Sequence, residues 1–214
     1  CILETRALCK EFGAVTAAKD LSIRIDKGEV VGVIGSNGAG KTTFINMVTG
    51  YLPPSRGQIL FNGRSILGHT PRAITRAGMA RSFQVAQLFP ALSVLDNLLI
   101  ALTAAESPRP SVLRPVRSAV RIARAEAILD EFSISDWRDT QVTAVPQGVR
   151  KLIDIAMALI GEPQMLLLDE PTSGVSSEEK TSLMDTVMAV VKHYGVTVLF
   201  VEHDMDVVRR YVTR

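Results

Sequence analysis

The spacing of apolar and polar positions changes character twice along the chain. Near the start, Leu21-Ser22-Ile23-Arg24-Ile25 alternates apolar with polar, Asp26-Lys27-Gly28-Glu29 reads as a turn, and Val30–Ile34 is an unbroken apolar run. Alternation marks a strand with one wet face, whereas an unbroken run marks a strand buried on both faces, as in a parallel sheet. A helix-compatible stretch, Thr43–Val48, comes next. Pro53-Pro54-Ser55-Arg56-Gly57 then breaks the chain, and Gln58–Phe61 before Asn62-Gly63 predicts a hairpin strand. From Val85 to Gln147 the strand signal fades. Leu95, Leu98, Leu99 and Leu102 share one helical stripe, Ser107-Pro108-Arg109-Pro110 interrupts it, and Ser118–Phe132 predicts a further helix. The last third predicts a helix over Lys151–Ile160, a strand over Met165–Leu168, a helix over Ser177–Tyr194 and a strand over Val196–Val201. That βαβ rhythm implies a parallel sheet with right-handed crossovers.

Composition narrows the class without naming a function. The 214 residues are 47% hydrophobic and 21% charged, which suits a globular chain with a sizeable core and excludes a disordered or collagen-like one. A balance of 24 basic against 22 acidic side chains leaves +2, too little to recruit nucleic acid or an anionic membrane through a global field. Five arginines, at 109, 114, 117, 121 and 124, read as a solvated helix face and loop in preference to an anionic-lipid contact. Cys1 and Cys9 have neither metal-ligand spacing nor a disulfide framework, so a reducing compartment is expected. No apolar stretch approaches the ~18 residues of a membrane span, and no signal-sequence pattern opens the chain. Cys1 stands where a Met would, and Val207–Arg214 stops mid-pattern, so a longer parent chain is expected.

Two segments carry chemistry. Gly35-Ser36-Asn37-Gly38-Ala39-Gly40-Lys41-Thr42 matches G-x-x-x-x-G-K-[ST], with an apolar strand before it and a helix-compatible run after it. This is the context a phosphate-binding P-loop requires; a bare glycine-rich turn before a helix is the alternative. The glycines let backbone N–H groups turn toward phosphates, and the helix N-terminus adds its positive end. Lys41 would neutralise β- and γ-phosphate charge, and the Thr42 hydroxyl would reach Mg²⁺. Met165-Leu166-Leu167-Leu168-Asp169-Glu170 is an apolar strand ending in two carboxylates. Set beside the P-loop strand, Asp169 would serve the Mg²⁺ shell and Glu170 would polarise a water for in-line attack on the γ-phosphate. The plainer reading is that Asp-Glu-Pro-Thr turns the chain and caps the next helix.

Gly35–Thr43, Gln84, Leu167-Leu168-Asp169-Glu170-Pro171-Thr172 and Val201-Glu202-His203-Asp204, in this order and spacing, resemble the nucleotide-binding domain of ATP-binding cassette (ABC) transporters. Within it, Arg81-Ser82-Phe83-Gln84, Leu88-Phe89-Pro90-Ala91-Leu92-Ser93-Val94 and Glu202-His203-Asp204-Met205 resemble the branched-chain amino-acid importer group. The resemblance implies an α/β P-loop NTPase with a mixed, largely parallel sheet core, an N-terminal antiparallel β subdomain and an inserted helical subdomain. Residues 1–84 would form the β subdomain and the P-loop part of the core, 85–148 the helical subdomain, and 149–214 the rest of the core. It implies that Phe12 stacks on adenine, that Gly35, Ser36, Asn37, Gly38, Ala39, Gly40, Lys41, Thr42 and Thr43 cradle ATP, and that Thr42, Gln84 and Asp169 serve Mg²⁺. Glu170, His203 and Gln84 would be catalytic, with His203 against the γ-phosphate, and Gly148 would reach ATP bound by an opposite subunit.

Two departures from the family pattern stand out. Val145-Pro146-Gln147-Gly148-Val149 occupies the place of Leu-Ser-Gly-Gly-Gln and retains only the glycine, while Pro146 brings neither a hydroxyl nor an N–H. Ser173-Gly174-Val175-Ser176 replaces Ser-Ala-Leu-Asp, so the cross-dimer aspartate is missing. The resemblance implies an ATPase subunit on the cytoplasmic face of a membrane. Its partners would be a second such subunit, identical or related, transmembrane permease subunits and, indirectly, a solute-binding protein. No nucleic-acid partner is expected. The alternatives are a soluble ABC-class ATPase of nucleic-acid or ribosome mechanics, a poorly hydrolysing regulatory partner and, last, a P-loop kinase.

Overall fold

The structure is a computed structural model and describes residues 1–36, 38–106 and 115–214. In chain order its elements are β1 (Leu3–Phe12), β2 (Val15–Leu21), β3 (Arg24–Ile25), β4 (Val30–Val33), α1 (Lys41–Val48), β5 (Arg56–Phe61), β6 (Arg64–Ser65), α2 (Pro71–Arg76), β7 (Met79–Ser82), α3 (Val94–Glu106) and α4 (Ala119–Glu131). There follow α5 (Gln147–Leu159), β8 (Met165–Asp169), α6 (Ser177–Tyr194), β9 (Thr197–Val201) and α7 (Met205–Tyr211). They gather into two units, each discontinuous in sequence. Cys1–Arg81, Pro163–Glu170 and Gly195–Arg214 form the first, and Ser82–Glu162 with Pro171–Tyr194 the second.

The first unit contains two sheets. In one, the order is β2-β1-β5-β6 with β3 also on β1, and every pairing is antiparallel. The predicted hairpin is present: Asn62 and Gly63 take φ of 50° and 74°, the left-handed pair a two-residue turn requires, and Phe61 pairs with Arg64. Alternation in β1 slips at Ala7 (φ 44°), so that burial of Leu3 and Thr5 is followed by burial of Leu8. Such a bulge shifts the buried face by one position. Gly57 lies opposite it, where a Cβ would come within 2.5 Å of the Ala7 carbonyl oxygen.

The other sheet has the order β4-β9-β8-β7, with β9 parallel to both β4 and β8. This corrects the expected arrangement in which the strand before the phosphate loop lies beside the strand ending in the two acids; β9 separates them. It also corrects the burial expected for Val30–Val33, of which only Val31 is buried. The reason is position: β4 ends the strand order among the described residues, and residues 213 and 214 run along it through Gly32 N–H to Arg214 O at 3.1 Å and Thr213 N–H to Val30 O at 2.9 Å. All five residues of β8 and of β9 are buried. Phe44, Ile45, Met47 and Val48 of α1 join Ile59, Phe61, Leu167 and Leu199 in a single core.

The second unit is helical. Leu95, Leu98, Leu99 and Leu102 form the buried stripe of α3, which packs on α4 and α5, and α5 packs on α6. Ser118 caps α4 by accepting from the Arg121 N–H. Arg117 pairs with Asp96, Arg121 with Glu106 and Arg124 with Glu162. Arg121 departs from the expected solvated face. It is buried, and donates to the Pro115 carbonyl as well as to Glu106. Arg109, Arg114 and the Ser107–Pro110 break lie outside the described residues. Among the described residues no helix is long and apolar enough to cross a membrane, and both cysteines are free.

Burial of the α3 stripe gives a direct test. Leu99 is 0% exposed and Val120 is 79% exposed. Leu99→Ala should cost about 2–5 kcal/mol in urea unfolding through transfer and cavity terms, and Val120→Ala no more than about 0.5 kcal/mol. Equal effects would refute the packing of α3.

Candidate nucleotide-binding site

The glycine-rich loop joins β4 to α1 in the first unit. Gly40 sits at the helix start with φ 85°, and a Cβ there would lie 2.2 Å from the Ala17 carbonyl oxygen, so no side chain fits. The chain closes on itself through Ala39 N–H to Ser36 O at 3.1 Å and Phe44 N–H to Gly40 O at 2.8 Å. The first turn of α1 has no side-chain cap, which leaves its backbone donors for an anion. Lys41 is buried, and its Nζ donates to the carbonyls of Gly35 (2.6 Å) and Ser36 (3.0 Å). The ammonium is thereby held over the loop, where a phosphate oxygen would be a stronger, charged acceptor. Thr42 is exposed and Thr43 half-buried; Asn37 lies outside the described residues.

The parallel register levels three strand ends, since Val201 of β9 lies opposite both Val33 of β4 and Asp169 of β8. Asp169 is buried and accepts from Arg81 Nη2 at 2.6 Å. Glu170 takes φ 48°, a conformation costing about 1–2 kcal/mol for an L-residue, and its N–H donates to Val201 O at 2.9 Å. The turn aims its carboxylate back toward the end of β9, where His203 Nδ1 lies 3.9 Å from Glu170 Oε1. His203 is 58% exposed, and its N–H donates to Glu202 Oε2. A hydroxyl from Thr42 and a carboxylate from Asp169 are hard oxygen donors of the kind Mg²⁺ takes together with phosphate oxygens and water. Among the described residues no cluster of three or more His, Cys, Asp or Glu is placed to hold a metal ion. Phe12 is half-exposed at the tip of the β1–β2 hairpin, with Lys10 Nζ 5.1 Å from its ring centre.

In the second unit, Gln84 is exposed on a loop that α5 grips from beneath. Ser82 Oγ (2.6 Å) and Phe83 N–H (3.2 Å) donate to Asp154 Oδ2, Gln87 N–H donates to Oδ1 (2.9 Å), and Lys151 Nζ donates to the Gln84 carbonyl. Both charged residues are buried. Burial pushes the Asp154 carboxyl above its ordinary range, against the pull of Ser82, the two backbone donors and the Lys151 charge. Helix α5 starts a turn earlier than expected, at Gln147 with Pro146 as its N-cap residue, and Arg150 holds the Val145 and Thr143 carbonyls in front of it. Gly148 therefore lies in the first helical turn, where a Cβ would make ordinary van der Waals contact with Val175 at 3.8 Å and Leu183 at 4.0 Å. Ser176 donates to Glu179 at the start of α6.

The phosphate loop, Asp169, Glu170, His203 and Phe12 thus belong to the first unit, and Gln84 and Gly148 to the second. Arg81, Lys151 and Asp154 were not singled out for a role from the sequence. Their signal was a charge inside an apolar run, Met79-Ala80-Arg81 in a strand and Lys151-Leu152-Ile153-Asp154-Ile155-Ala156 in a helix. Residues 18–173 match the family model described as ABC transporter. The chain belongs to the ABC transporter family. This ABC cassette is an ATPase with the P-loop NTPase fold. It is 33% identical to the "Probable branched-chain amino acid transport ATP-binding protein LivG" of Methanocaldococcus jannaschii, over 99% of this chain and 83% of that protein. It is 32% identical to the high-affinity branched-chain amino acid transport ATP-binding protein BraF of Pseudomonas aeruginosa, over 97% and 84%. A crystal structure of the ADP conformation of an ATP-binding cassette of an ABC transporter superposes with a TM-score of 0.86 at 32% identity, covering 99% of this chain and 84% of that one.

The grip of α5 on the Gln84 loop predicts a pH signature. A carboxyl whose pKa is raised by folding keeps its proton longer in the native state, so stability falls as pH climbs from about 4, its ordinary value, through the raised value. Lys151→Met removes the cation that opposes this rise, together with the donor to Gln84. The variant should lose about 1–3 kcal/mol near neutral pH and fall more steeply than wild type as pH rises above about 4. Parallel pH–stability curves would refute the coupling.

Proposed function

We propose that the cassette is the ATP-hydrolysing subunit of an importer for branched-chain or related hydrophobic amino acids. The observation that carries the ATPase chemistry is the level row of strand ends, with the phosphate loop after β4, Asp169-Glu170 after β8 and His203 after β9. The solute class rests on the names of the relatives. In this reading, Gly35 to Thr43 cradle the triphosphate and Phe12 stacks on the adenine. Thr42, Asp169 and Gln84 hold Mg²⁺, whose charge offsets that of the phosphates. Glu170 accepts a proton from the attacking water, and His203 contacts the γ-phosphate. Gly148, in the first turn of α5, meets ATP held by a second cassette. The helical segment 85–148 docks transmembrane permease subunits at the cytoplasmic face of the membrane, and a solute-binding protein delivers the cargo from the other side.

Glu170→Gln should lower steady-state ATP turnover by about 10²–10⁴-fold, the contribution of a positioned general base, with binding of a fluorescent ATP analogue retained. Lys41→Ala should weaken that binding by about 10–100-fold, as expected for a hydrogen bond to a charged group. Wild-type turnover in both would overturn the site. Solute class is read by reconstituting the cassette with its permease in liposomes, where binding protein loaded with leucine, isoleucine or valine should stimulate ATP hydrolysis and unloaded protein should not.

A second reading concerns the pairing. Pro146 offers no side-chain cap and no N–H at the start of α5, and Ser176 is engaged with Glu179. Both favour a working pair of this chain with a different cassette. Sedimentation of Glu170→Gln with Mg-ATP decides it: a dimer supports pairing of identical chains, and a monomer that has bound ATP supports the mixed pair.

A further inference from the structure

Arg81 has a position that its place in a strand does not explain. Strand β7 neighbours β8, and the Arg81 side chain is only 8% exposed against 7% for that of Asp169. Its guanidinium makes a different contact on each side. Nη2 donates to Asp169 Oδ2 at 2.6 Å, while Nη1 donates to Asn46 Oδ1 at 2.7 Å and lies 3.4 Å from Thr49 Oγ1. Thr49 can accept there because its own hydroxyl proton goes to the Ile45 carbonyl at 2.6 Å. The guanidinium carbon also lies 5.6 Å from the centre of the Tyr51 ring. One rigid, permanently charged plane thus ties the helix that follows the phosphate loop to the carboxylate at the end of β8.

We propose that Arg81 is a positioning residue for Asp169. It holds Oδ2 so that the carboxylate presents Oδ1 in a fixed direction, and so sets the affinity of the nucleotide site for Mg²⁺. The proposal rests on the reading that Asp169 serves the Mg²⁺ shell. Two effects compete at this carboxylate. A cation beside the carboxylate reduces its net attraction for a second cation, which would weaken the metal. Against this, a buried carboxylate deprived of its partner loses its fixed direction, and lost orientation of a metal ligand typically costs about 10–100-fold in affinity. At this depth of burial the second effect wins.

The test uses the whole chain and binding of N-methylanthraniloyl-ATP, titrated with MgCl₂ and repeated in EDTA. Arg81→Gln and Asp169→Asn should each raise the Mg²⁺ concentration for half-maximal binding by about 10–100-fold. The double variant should shift no further than Asp169→Asn alone, because Arg81 acts through Asp169. Arg81→Lys keeps the charge and loses the fork, and should fall between wild type and Arg81→Gln. If Arg81→Gln does not fold, the lysine variant decides, and an unshifted Mg²⁺ midpoint there overturns the proposal. A shift in Asp169→Asn with none in Arg81→Gln also overturns it while the Asp169 reading stands. No shift in either variant overturns both, and additive shifts in the double variant reduce Arg81 to a separate structural role.

Discussion

Parallel pairing of β9 with β4 on one side and β8 on the other is the constraint on which the rest of the site depends. Backbone hydrogen bonds fix that register, so Val33, Val201 and Asp169 end level whatever their side chains do. Everything chemical begins within a few residues of this row: the phosphate loop two residues beyond Val33, Glu170 directly after Asp169, and His203 two residues after Val201. Open sheets of this kind gather ligands at the carboxyl ends of their strands. The row also explains why Glu170 tolerates an unfavourable backbone conformation. Its N–H is bonded to Val201, so the same register that levels the strands holds the turn.

Buried charge is used twice, in similar ways. Arg81 pairs with Asp169 in one unit, Lys151 and Asp154 lie buried on one helix in the other, and each set also holds a neighbouring segment. Arg81 reaches Asn46 on the helix after the phosphate loop, and Asp154 takes two backbone N–H groups from the loop that carries Gln84. Such groups add little net stability over an apolar replacement, whereas losing one partner is costly because it strands the other. Their effect is to fix the direction of a loop or carboxylate.

Much of the fold was legible in the sequence because it is local. The stripe of α3, the helix near Ser118–Phe132, the limits of α6 and the Asn62-Gly63 turn are set within a few residues, and each appears as expected. The strand order was not, since nothing in Val30–Val33 or Met165–Asp169 records that β9 will lie between them. Burial of Val30–Val33 was overestimated for the same reason: an apolar run states what a strand can bury, and its place in the sheet decides what it does bury. The phosphate loop and the two acids after β8 stood out from motif and context. Arg81, Lys151 and Asp154 did not, because a charge in an apolar run signals burial without naming its partner. The bulge at Ala7 was invisible too, being a residue in φ-space that alanine rarely enters.

The pairing of β4 also bears on how the chain assembles during synthesis. The strand preceding the phosphate loop finds its ladder in β9, and among the described residues its other backbone partners across the sheet are residues 213 and 214. All of these leave the ribosome more than 160 residues after β4 itself. The first sheet of that unit can close early, from β1, β2, β3, β5 and β6, but the strand that presents the nucleotide loop must wait with its edges bare until the helical unit has been made. Long-range parallel pairing is slow to form and exposed to misassociation while it waits. Nascent cassettes would therefore become competent to hold nucleotide late and abruptly, when the last strand inserts.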